Sequence, residues 1–85
     1  MDPAIAFGLV LRTLRKKAGL SQEQLALSAG VERNFVSLIE RGINQPTIRV
    51  IFKLSNALQI SPSEVVKAVE QHLIVTQSTS DKTQI

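Results

Sequence analysis

Arg33, Asn34 and Ser37 bring a guanidinium, a carboxamide and a hydroxyl together within five residues of a short segment bounded by Gly30 and Gly42. At about 100° per residue, with Arg33 at zero, Ser37 falls near ~40°, Arg41 near ~80° and Asn34 near ~100° on a helical wheel. Phe35, Val36 and Ile39 fall between about 200° and 300°. One arc of such a helix packs inward, and the opposite arc carries hydrogen-bonding groups aimed at something outside the chain. Their chemistry is that of base-edge recognition: arginine is bidentate to guanine, asparagine to adenine, and serine is permissive. Leu38, near ~140°, borders the polar arc, where it either meets a thymine methyl or joins the core or an interface.

No histidine–acid pair, thiol or phosphate-cradling loop accompanies these groups, so the residues point away from an enzyme. His72 is the only histidine, and no second histidine or acidic cluster supports it as a metal ligand, so neither metal nor cofactor is expected. Absence of cysteine excludes a disulfide framework. The apolar run "IAFGLVL" precedes its charges, the reverse of a signal peptide, and no segment has the length and apolarity of a bilayer span. These features predict a cytoplasmic protein without a membrane partner. Net charge is only +3, but residues 12–53 carry Arg12, Arg15, Lys16, Lys17, Arg33, Arg41, Arg49 and Lys53 against Glu23, Glu32 and Glu40. A basic centre between neutral-to-acidic ends favours a polyanion.

Five helical segments must position this chemistry. Asp2 caps the first, with Pro3 at the first helical position and Phe7, Leu11, Leu14 and Ala18 as the inner stripe; Gly19 supplies the stop. Ser21 and Gln24 form a capping box for the second, whose stripe is Leu25, Ala26 and Ala29 and whose end is Gly30. The third spans residues 32–41. "INQPT" is a loop, and Thr47 caps a fourth helix expected to bury Ile48, Ile51, Phe52, Leu54 and Leu58. "SPSE" opens a fifth over about residues 62–75. No strand pattern occurs. The expected fold is an all-α, compact five-helix bundle, with one domain over residues 1–75. Residues 76–85 are polar and aperiodic, which predicts a disordered tail.

In this order and spacing, "LRTLRKKAGLSQEQLA", "AGV", "VSLIERG", "QPT" and "LSNALQISPSEV" resemble the phage repressor/Cro-like helix-turn-helix family of bacterial regulators. The resemblance covers residues 7–65 and implies that the second and third helices form the motif, with the third in the DNA major groove. Base contacts then fall to Arg33, Asn34, Ser37 and Leu38. Phosphate contacts fall to Gln22, Arg41, Asn44, Thr47 and Arg49, although cap and turn chemistry explains the loop positions equally well. Gln22 also stands at a helix N-terminus, where free N–H groups attract phosphate. Glu32 departs from the small polar residue usual at its position. The family further implies a structural ion pair between Arg15 and Glu40.

Val65, Val66, Val69, Leu73, Ile74 and Val75 give the fifth helix more apolar surface than a small domain readily covers; Val65, Val66, Val69 and Leu73 are the expected homodimer interface, the alternative being that the valines cap the monomer core. Two half-sites multiply the affinity of one recognition helix. The sequence therefore predicts a dimeric, sequence-specific regulator of double-stranded DNA with no small-molecule effector. Its design is similar to that of small controller proteins of restriction–modification systems and of phage or plasmid repressors. The alternative is an antitoxin-type interaction module whose C-terminal helix binds a partner protein.

Overall fold

A computed structural model of the chain describes residues 1–80, with the side chains of residues 1–76. The helices are α1 (Pro3–Lys17), α2 (Gln22–Ala29), α3 (Arg33–Glu40), α4 (Ile48–Leu58) and α5 (Pro62–Ser80). Helix α5 continues past the boundary near residue 75 that its apolar spacing predicts, so residues 76–80 are helical rather than disordered. Residues 81–85, the remainder of the predicted tail, lie outside the described residues.

Local side chains account for the boundaries. Asp2 Oδ1 accepts from the Ala4 amide at 2.7 Å, and Pro3 occupies a first-turn position where no N–H is needed. In the capping box, Gln24 N donates to Ser21 Oγ at 3.0 Å while Ser21 N donates to Gln24 Oε1 at 2.8 Å. Gly30 ends α2 in the left-handed region at φ 73°, reversing the chain within a few residues of the start of α3. Thr47 Oγ1 accepts from Val50 N at 3.2 Å and starts α4. Glu32 is the N-cap of α3 but makes no side-chain cap bond. The motif helix therefore owes its start to the turn before it and its hold to packing.

Every helix contributes to one core. Leu11 from α1, Leu25 from α2, Val36 and Ile39 from α3, Leu54 from α4 and Val65 from α5 are all sealed from solvent. Each such side chain stabilises the fold by about 1.5–3 kcal/mol on burial. Helix α1 packs on α3 and α5, α2 on α3 and α4, and α4 on α5. Helix α3 is thus gripped from behind by α1 and α2 together.

Several expectations are corrected. Ile48 and Phe52 are 71% and 57% exposed, because the buried arc of α4 centres on Leu54, Ser55 and Leu58 and these two side chains turn out of it. Ala18 lies beyond the last turn of α1 and is exposed, whereas Ala6, Gly8 and Val10 are buried there. On α5, Val65 and Val69 are 2% and 8% exposed within the single chain. They belong to the hydrophobic core of the single chain. Val66 remains 48% exposed, and Leu73 is half-buried against the core.

Two left-handed helix ends differ in residue type. Gly30 has no neighbour where a Cβ would stand, so Gly30→Ala carries only the backbone penalty and should lower unfolding free energy by about 1 kcal/mol. Gln59, the C-cap of α4 at φ 60°, already bears that penalty, and Gln59→Gly should raise stability by up to about 1 kcal/mol. Urea unfolding of both variants checks the opposite signs.

Candidate nucleic-acid interface

The rear of α3 is closed. Val36 and Ile39 are fully buried, and Glu40, at the helix's last residue, is joined to two other helices. Arg15 on α1 donates from Nε to Glu40 Oε2 at 2.6 Å and from Nη2 to Oε1 at 3.1 Å. Its remaining nitrogen, Nη1, donates to the Leu20 carbonyl at 2.8 Å, which also fastens the turn before α2. Gln22 at the start of α2 donates from Nε2 to Glu40 Oε1 at 3.0 Å. The two charged side chains are 10% and 3% exposed. The hydrogen bond and charge of Glu40 hold Arg15 above its ordinary pKa against the opposing effect of burial.

The front of α3 is open. Arg33 and Asn34 are exposed, and Ser37 and Leu38 are half-buried at its edge. Within the described residues, no hydrogen bond or ion pair engages the side chains of Arg33, Asn34 or Ser37. Three unengaged polar groups on a rigidly backed helix form a surface suited to hydrogen-bond an external ligand. Leu38 stands beside them, apolar and partly accessible.

Around this face, Arg41 caps the C-terminus of α3 and Arg49 lies in the first turn of α4; both are exposed, without side-chain partners among the described residues. Asn44 is half-buried in the intervening loop, its side chain unengaged among the described residues. Thr47 acts as the α4 cap, so its hydroxyl has a local structural role. Gln22, expected to contact phosphate, also has one of its amide hydrogens held by Glu40. Nothing in the sequence signals that bond, since the partners are eighteen positions apart on different helices. Among the described residues, no group of three histidine, cysteine or acidic side chains could hold a metal, and no helix is long and apolar enough to cross a membrane.

A short helix behind a glycine-ended turn, buried on one side and polar on the other, is the working part of a helix-turn-helix. Residues 11–65 match the family model described as helix-turn-helix, and the chain belongs to that family. It is 36% identical over 62 residues to the transcriptional regulator SlrR of Bacillus subtilis, spanning 72% of this chain but 41% of the length of SlrR. Among solved structures, the restriction–modification controller protein C.AhdI from Aeromonas hydrophila is 44% identical, with a TM-score of 0.71 over 73% of this chain and 94% of that one. The controller protein C.Esp1396I, solved as a tetramer with its natural 35-base-pair operator, shares the fold: TM-score 0.80 at 22% identity, over 87% and 97% of the two chains.

Removing the acid at the junction should be expensive. Glu40→Ala leaves Arg15 buried and unpaired, and is expected to reduce stability by about 1–3 kcal/mol in thermal or urea unfolding. Unchanged melting would show that the pair contributes nothing to holding α3.

Proposed function

We propose that this chain is a sequence-specific double-stranded DNA-binding transcriptional regulator, with α3 in the major groove. The observation that carries the proposal is the unengaged row Arg33–Asn34–Ser37 on a helix whose opposite side is sealed and ion-paired. Arg33 and Asn34 supply direct readout of purine edges, Ser37 a permissive contact and Leu38 an apolar one. Arg41, Asn44, Arg49 and the second amide hydrogen of Gln22 meet phosphates on either side. Thr47 joins them through its backbone end while its side chain caps α4. Catalysis plays no part in this reading, and its setting is the bacterial cytoplasm.

The reading includes a homodimer on two half-sites about one helical turn apart. Similarity to controller proteins supports it, one of them having been solved as an operator-bound tetramer. The surface best suited to the dimer is not the buried valines of α5 but the junction of α4 and α5. There Phe52 stands exposed beside a groove lined by Asn56, Gln59, Ile60 and Pro62. Projection and groove lie on one patch, as a two-fold interface requires: each copy inserts what the other accepts.

Arg33→Ala tests the readout. Melting should stay near wild type, since the side chain is exposed. Binding to the preferred site should weaken by about 1–3 kcal/mol, with discrimination lost at one base pair. Uniform weakening on all sequences, with a shallower salt dependence, would make Arg33 a phosphate clamp. Sedimentation tests the assembly: the wild type should be a dimer at micromolar concentration and Phe52→Lys a folded monomer. A monomeric wild type would contradict the dimer.

A further inference from the structure

Gly8 is buried in the middle of α1, a place where glycine weakens a helix by about 1 kcal/mol relative to alanine. The structure gives a reason for its presence. A Cβ at Gly8 would overlap the carbonyl oxygen of Ile39 and lie 2.8 Å from that of Glu40. Both obstacles are backbone atoms of the last turn of α3, which no rotamer change can move aside. The missing side chain therefore lets two helices touch backbone to backbone at the end of the recognition helix. Seven residues along α1, Arg15 grips the Glu40 side chain of that same turn. Three residues the other way, Ile5 meets Gly42, where a Cβ would stand 3.0 Å from Ile5 Cγ1.

From these contacts we infer that Gly8 is a specificity-determining position: it sets the tilt and depth at which α3 presents Arg33, Asn34 and Ser37, without touching the ligand. The inference rests on the DNA-reading function proposed above. Added bulk at residue 8 must push the C-terminal end of α3 away from α1, while the turn at Gly30 still ties its N-terminal end to α2. Such a lever rotates the polar face. A bidentate contact depends on angle as well as distance, so discrimination between bases falls more than general attraction to phosphate, which tolerates small displacements.

The test compares wild type, Gly8→Ala and Val10→Ala on the selected site, on single-base variants of it and on unrelated duplex. Val10 is buried on α1 and lies along the groove between α1 and α5, so its truncation weakens the fold without pressing on α3. Below the melting range of all three proteins, Gly8→Ala should lose at least about fivefold in site-over-variant discrimination, the low end of one base contact, while retaining binding to unrelated duplex. Val10→Ala should discriminate as wild type does. Equal discrimination by Gly8→Ala and wild type, or equal losses in the two variants, overturns the inference and leaves DNA reading intact. A wild type that prefers no sequence removes the reading and the inference together. Should Gly8→Ala not fold, the wild-type chain still decides. Nuclear Overhauser contacts between Gly8 and residues 39–42 should persist in the complex with the selected site, and their loss on binding would show that α3 leaves this seat to read DNA.

Discussion

The carboxylate of Glu40 is the constraint on which the rest of the molecule depends. It receives Arg15 from α1 and Gln22 from α2, and it is almost sealed from water. A buried ion pair of this kind adds little net stability over a well-packed apolar substitute, because desolvation offsets most of the attraction. Its value is geometric. Hydrophobic contacts such as those of Val36 and Ile39 tolerate sliding and rotation, whereas a two-nitrogen grip on a carboxylate fixes both. An eight-residue helix with no side-chain N-cap bond needs such an anchor, since it has little intrinsic stability as a helix.

That anchor allows the opposite face of α3 to remain unengaged. Polar side chains bonded within the protein would have to break those bonds to reach a ligand. Arg33, Asn34 and Ser37 have none to break among the described residues. The same division recurs at the level of the whole chain. Apolar side chains that close the core, Val65 and Val69 among them, are distinct from those left outside it, such as Phe52 beside the α4–α5 groove. The core, the unengaged polar face of α3 and the exposed patch at Phe52 are separate sets of residues, so substitutions in each should affect a different observable.

Much of this division was legible in the sequence. The caps at Asp2, Ser21 and Thr47 and the glycine at 30 are local signals, each carried by one or two side chains, and the helices begin and end by them. The polar and apolar arcs of α3 follow from spacing alone. What spacing does not carry is which part of a broad apolar face finds a neighbour. Ile48 and Phe52 share the periodicity of a buried stripe but lie outside the sector α2 and α5 cover, and Val65 and Val69 lie inside the sector α1 covers. The bond from Gln22 to Glu40 and the close approach at Gly8 are properties of three-dimensional packing between distant residues. The polar composition of residues 76–80 likewise concealed the continuation of α5.

The central claim is that two copies of the α3 polar face read base sequence. Selection of bound duplexes from a random pool by the wild-type chain tests it most directly. The account predicts enrichment of a two-fold-related sequence whose half-sites are centred about 10 base pairs, or a multiple of that, apart. It also predicts purines at the positions facing Arg33 and Asn34. A pool that remains random after repeated selection, while binding persists, would contradict it and leave a protein that holds DNA without reading it.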